Sequence, residues 1–184
     1  TGIPPDTERS TRARLKPAAF YDFCCRSQGV RLGASNDKKS EPMAMYTIEI
    51  DETFDVPRRR VFALFADHYR FGKLLGAPVK RIKDSDQADP NGIGSVRKIG
   101  IGPVGLEETV TSFEPDSLIE YTITSMSPIR NHLGRIRFED TPEGHTRVNY
   151  TITFEDIVPF TGKVVSSALE QGIRRGIKRV PQLA

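Results

Sequence analysis

Five polar residues stand among apolar neighbours in alternating stretches of this chain: Arg97, Glu108, Tyr121, His132 and Tyr150. They hold what proton transfer beside a carbonyl needs, with Glu108 or His132 as base and Tyr121, Tyr150 or Arg97 as donor to an enolate oxygen. The same groups would equally orient a bound molecule without any chemistry. Glu108 shares a strand face with Leu106 and Val110, so its carboxylate is either paired or reaches a wet cavity. Arg97, on the preceding segment, is a cross-strand partner for it. Counting back by two from Phe138 and Ile136 through Gly134 puts His132 on the apolar face. There it is either a satisfied or edge-exposed histidine, or a ligand or proton-transfer contact. Tyr121 lies between Ile119 and Ile123, and Tyr150 between Val148 and Ile152. Each is core, or a cavity wall whose hydroxyl needs a partner and can orient a ligand.

Other motifs lose their chemistry once context is required. The run Gly100-Ile-Gly102-Pro-Val-Gly105 matches G-x-G-x-x-G, but a dinucleotide site needs a helix to begin there. Leu106 to Phe113 alternates as a strand, so the run reads as a glycine-rich hairpin. The sequon at Asn149 lies inside a strand of a chain without a secretory signal. His68, His132 and His145 have no metal-ligand spacing, and no metal or cofactor is expected. Arg58-Arg59-Arg60 and the basic residues of the last helix read as solvated helix faces.

The elements that must position these groups follow from periodicity. Tyr46 to Phe54 alternates as a half-buried strand. Asp55-Val56-Pro57 then opens a short helix whose apolar face is Val61, Phe62, Leu64 and Phe65. A second turn is predicted around Arg70 to Leu75, and an edge strand at Val79 to Lys83. After a loop at Asp86 to Gly94, strands are predicted at Ser95–Ile99, Leu106–Phe113, Leu118–Thr124, Leu133–Glu139 and Thr146–Phe154. Their short turns favour an antiparallel meander. From Phe160 to Val180 the period is helical, with Val165, Leu169, Ile173, Ile177 and Val180 on one stripe. Gly172 and Gly176 sit beside that stripe, so close packing or room for something else offsets their cost of about 1 kcal/mol each.

At 184 residues the chain fits one domain with an added tail. Residues 1–42 carry eight Lys or Arg against five acids, leaving nineteen of each sign in the remainder. A neutral domain lacks the field for non-specific nucleic-acid binding. No apolar run approaches the ~20 residues of a membrane span. Cys24 and Cys25, the only cysteines, adjoin one another in the tail, which excludes a disulfide framework and points to a reducing, cytoplasmic setting. The tail is read as a disordered extension or expression remnant, with the domain proper at 43–184.

Several local phrases carry a family resemblance. They are Asp55-Val56-Pro57 through Val61-Phe62-Ala63-Leu64-Phe65-Ala66-Asp67, then Gly94-Ser95-Val96-Arg97, then Glu108-Thr109-Val110-Thr111-Ser112-Phe113-Glu114-Pro115, and Ile119-Glu120-Tyr121. Over about residues 46–180 the chain resembles the START/Bet v 1-like (SRPBCC) superfamily, and within it the bacterial polyketide cyclase/dehydrase-like group. The resemblance implies an α+β helix-grip fold of β-α-α-β6-α order, a curved antiparallel sheet wrapped around a long C-terminal helix with a hydrophobic cavity between them. It also implies that the glycine-rich hairpin lies at the cavity mouth, and that a Glu placed like Glu108 faces the cavity, as in the abscisic acid receptors. The His68-Tyr69-Arg70-Phe71-Gly72-Lys73 segment departs from the tryptophan-bearing stretch common in that group.

The expected function is binding of a hydrophobic small molecule, lipid- or polyketide-like, with Arg97, Glu108, Tyr121, His132, Tyr150, Leu169, Gly172 and Gly176 around it. A cyclase or dehydratase using His132 or Glu108 is the enzymatic alternative, and a protein-interaction module with a filled cavity is a third. A monomer or homodimer is expected, with no nucleic-acid partner.

Overall fold

In the computed structural model, residues 44–102, 105–158 and 161–184 are described. The expectation for the 1–42 tail, and the start of the last helix at Phe160, lie outside them. Alternation produces β1 (Met45–Phe54), with Ile48, Ile50 and Phe54 turned inward. Helix α1 (Arg58–Ala66) begins after Pro57 and buries Val61, Phe62, Leu64 and Phe65. Asp67 separates it from α2 (His68–Leu75) and caps the second helix, its side chain accepting from the backbone N–H groups of Tyr69 at 2.8 Å and Arg70 at 2.9 Å. Gly76 closes α2 in the left-handed conformation, φ 70°.

Six strands follow: β2 (Val79–Lys83), β3 (Val96–Ile99), β4 (Leu106–Glu114), β5 (Leu118–Ile123), β6 (Ile129–Asp140) and β7 (Thr146–Asp156). All pairs are antiparallel, and the order is β1-β7-β6-β5-β4-β3-β2. The meander thus runs from one edge to β7, and the first strand returns to cover it. Register shifts interrupt the ladders within β2, β4 and β6. Such bulges bend a sheet, so they favour the curvature that wraps a helix.

The bulge in β6 departs from the sequence expectation, which began that strand at Leu133. One extra residue is inserted between Arg130 and Leu133, with Asn131 at φ 51°. Asn tolerates this region better than most residues. Below the bulge, His132, Gly134, Ile136 and Phe138 face inward; above it the parity flips and Ile129 faces inward too.

The last helix also differs from its expected span. It runs as α3 (Thr161–Ile177), and a short α4 (Val180–Leu183) follows. Pro181 explains the break, because it has no N–H to donate to the Ile177 carbonyl and its ring would collide with it. Arg70 donates to the Leu183 carbonyl at 2.7 Å, and Arg60 to that of Ala184, which fixes α4 over α1 and α2.

The core lies between the inner face of the sheet and the helices. Phe62 meets Phe113 and Phe138 edge-on at 5.3 Å, and Phe65 meets Phe138 at 5.5 Å. This edge-to-face layer fills the space under α1.

Candidate functional site

Five neighbouring strands each contribute one polar residue to the inner face: Arg97 from β3, Glu108 from β4, Tyr121 from β5, His132 from β6 and Tyr150 from β7. Alternation alone orients them, since each follows the inward parity of its strand. Four of them, Glu108, Tyr121, His132 and Tyr150, line a cavity of about 150 Å³ between the sheet and α3. The rest of its wall is apolar apart from Ser127. Ile99, Leu106, Ile123, Ile129 and Ile152 come from the sheet, Phe71 and Leu75 from α2, and Val165, Leu169 and Ile173 from α3.

Arg97 does not reach that wall. It pairs in register with Glu108, Nε donating to Oε2 at 2.8 Å, and is only 1% exposed. Its guanidinium carbon lies 4.0 Å from the centroid of Phe71 and 4.5 Å from that of Tyr121. Two aromatic faces therefore hold the cation as Glu108 holds its charge. Burial works against the guanidinium charge, but Glu108 and the nearby tyrosine oxygens outweigh it and raise its pKa. Removing either partner would strand a buried charge, which is far costlier than replacing both.

Behind the ion pair lies a second polar group. His68 at the start of α2 and Ser95 before β3 are both fully buried. Both His68 ring nitrogens, Ser95 Oγ and Arg97 Nη2 lack hydrogen-bond partners among the described residues. Burial first, then the charges of Arg97 and Arg81, hold the His68 pKa down to about 3 despite the opposing pull of Asp67 and Asp89. Its imidazole is neutral at pH 7.

The two tyrosines make a short hydroxyl–hydroxyl bond. Its geometry depends on Gly134, which pairs with Tyr121 across the β5–β6 ladder. A Cβ on Gly134 would stand 2.2 Å from Tyr121 Cζ, so the ring crosses where only glycine leaves room. Burial is the main reason that both phenols are pushed above their usual range, with Tyr150 and Glu108 adding to it at Tyr121 and Glu108 at Tyr150. His132 stacks obliquely on Tyr121 at 5.6 Å, and its Nδ1 has no partner among the described residues. Burial lowers its pKa, and Arg97 adds to this while Glu108 opposes it.

The glycines expected to leave room beneath the last helix divide. Gly176 leaves none: a Cβ there would meet the Leu74 carbonyl oxygen at 2.8 Å, so it serves the close approach of α3 to α2. Gly172 has open space around its missing side chain but is not on the cavity wall. Leu169 does line the cavity. Of the glycine-rich stretch that matched a dinucleotide fingerprint, the described residues follow β3 with Gly100 at φ 98° and Gly102 at φ 63°, and Leu106 opens a strand where that fingerprint needs a helix. Among the residues that sequence reasoning missed are Phe71 and Ser127 on the cavity wall, and the buried His68 and Ser95. Gly134 carried a signal, since an isolated glycine inside a strand pattern marks a close approach.

An open, curved antiparallel sheet gripping a C-terminal helix over an apolar cavity is a helix-grip, hydrophobic-ligand-binding fold. The chain belongs to the polyketide cyclase / dehydrase and lipid transport family, whose pattern it matches over residues 45–184. Among solved structures it is similar to Ara h 8.0201, with 14% identity and a TM-score of 0.55 over 74% of this chain and 98% of that one. A protein from Nitrosospira multiformis shares 12% identity and a TM-score of 0.56, over 73% and 96% of the two chains. One from Rhizobium loti shares 18% and 0.54, over 73% and 96%. No curated protein matches the chain.

Proposed function

We propose that this protein binds a compact hydrophobic small molecule in the cavity between its sheet and α3. The observation that carries this reading is the cavity itself, where an apolar wall is broken at one side by Glu108, Tyr121, His132 and Tyr150. Ligand sites are commonly built this way, with apolar area for affinity and a few convergent polar groups for orientation. The space of about 150 Å³ suits a molecule about the size of one aromatic ring. It is well under the roughly 300–1,000 Å³ of drug-sized sites. This narrows a lipid- or polyketide-like expectation to its smallest members.

The binding reading needs only the cavity and its polar side. Cyclase or dehydratase turnover would also need a substrate carbon held against Glu108 or His132 and a carbonyl against a tyrosine. The interaction-module alternative assumed a filled cavity, and the open space argues against it. No helix among the described residues is long and apolar enough to cross a membrane. Cytoplasmic residence, a domain starting near Met43, and a monomeric or homodimeric state complete the reading.

Native mass spectrometry of the full chain purified from cells tests it. A co-purifying small molecule that is lost on denaturation is the expected outcome. Bare protein that also takes up no ring-sized apolar probe would sink the reading.

A further inference from the structure

The polar side of the cavity has a definite hydrogen-bonding character. Glu108 uses Oε2 on Arg97, and Oε1 has no hydrogen bond among the described residues. That oxygen is an acceptor on a residue of the cavity wall. The tyrosine pair complements it: each hydroxyl carries one proton, and a single bond between them engages one of the two. The second O–H is a spare donor, and burial keeps both phenols protonated at neutral pH.

Among the described residues no Lys or Arg lines the cavity. Arg97 is absent from the wall, held between Phe71 and Tyr121 with its charge on Glu108. His132 is neutral at pH 7 because burial lowers its pKa. A carboxylate entering the cavity would find Glu108 and no counter-charge, at the cost of its own desolvation. A hydroxyl would donate a hydrogen bond to Glu108 and accept one from the tyrosines.

We infer that the site selects an uncharged, ring-sized molecule bearing a hydroxyl, such as a phenol or alicyclic alcohol, and rejects the carboxylate of the same size. This rests on the binding reading above and specifies the ligand's chemical class.

Titration of the full chain at pH 7 with p-cresol, toluene and benzoate, followed by calorimetry and by amide chemical shifts, tests it. p-Cresol should bind about tenfold more tightly than toluene, the worth of one hydrogen bond to a charged acceptor. Benzoate should bind most weakly of the three. The doubly substituted Arg97→Met/Glu108→Gln chain buries no unpaired charge, and in it the preference of p-cresol over toluene should shrink severalfold, because an uncharged amide oxygen replaces the carboxylate while the tyrosine donor remains. Glu108→Gln alone leaves Arg97 unopposed and should shift selectivity toward benzoate. Benzoate binding as tightly as p-cresol to the unaltered chain, or p-cresol binding no better than toluene, would overturn the inference and leave the binding reading intact. Binding of none of the three would remove both. Because the unaltered chain alone decides between these outcomes, the test does not depend on either variant folding.

Discussion

The same inner face of the sheet meets two different layers along its length. Under α1 the space is solid: five of nine helix residues are buried, and Phe62 and Phe65 interlock with Phe113 and Phe138. Under α3 only four of seventeen residues are buried, two of them glycines, and a cavity of about 150 Å³ remains. Both helices are amphipathic, so amphipathicity does not separate core from container. The volume of the inward side chains does, since α1 sends rings to the sheet while α3 sends Val165, Leu169 and Ile173. Polar groups sort accordingly. His68 is sealed away from the cavity at the start of α2, whereas Glu108, Tyr121, His132 and Tyr150 stand on its wall.

The largest expected effect sharpens that contrast directly. Phe65→Ala removes a ring that is 1% exposed and packed against three others, so about 3–5 kcal/mol of stability should be lost. Leu169→Ala widens a space that already exists beside a half-buried side chain, and about 1 kcal/mol should be lost. Urea unfolding midpoints of the two variants measure both. Equal losses would mean that the two layers are packed alike.

What could be read from the sequence follows the same division. Strict alternation in β7 turns Val148, Tyr150, Ile152 and Phe154 inward, and counting by two reached His132 correctly. The Arg97–Glu108 pair was legible because both lie on inward parities of adjacent strands. The upper part of β6 was not legible: the extra residue at the Asn131 bulge reverses parity, and nothing local in Ile129 to Asn131 marks a strand. The two sides of the ion pair were hidden as well, because Phe71 and Tyr121 approach Arg97 from elements 26 and 24 residues away. Cavity size was beyond the sequence for a simple reason: it depends on how far α3 stands from the sheet, which packing against α2 sets.

Acid should discriminate between the two layers next. His68 titrates near 6.5 when unfolded and near 3 in the fold. Between these values the unfolded chain holds a proton that the native chain lacks, so stability falls as pH drops. The slope from this residue approaches about 1.4 kcal/mol per pH unit below 6.5 and vanishes well above it. Urea unfolding of the unaltered chain and of His68→Phe at pH 7, 6 and 5 isolates this part. The difference in stability between the two should change with pH across that range. His132, beside the cavity and supported by Glu108, is shifted in the same direction, and His132→Phe should remove less of the slope. An equal loss from both would show that the cavity side is as dry as the core.

The smallest effect tests the contrast within a single helix. Gly172 and Gly176 are one turn apart on α3, and both weaken a helix relative to alanine. A Cβ at Gly172 meets no atom within 4 Å, so Gly172→Ala should gain about 0.5–1 kcal/mol through the lost freedom of the unfolded chain. At Gly176 the new carbon would press on the Leu74 carbonyl, a backbone atom that cannot swing aside, and Gly176→Ala should lose stability. Thermal melts resolve the two signs. Because Gly172 is off the cavity wall, its alanine variant should also leave affinity for a ring-sized probe unchanged. Stabilisation at both positions would mean that α3 stands away from α2 as it does from the sheet, and the boundary between solid and hollow halves would have to be drawn elsewhere.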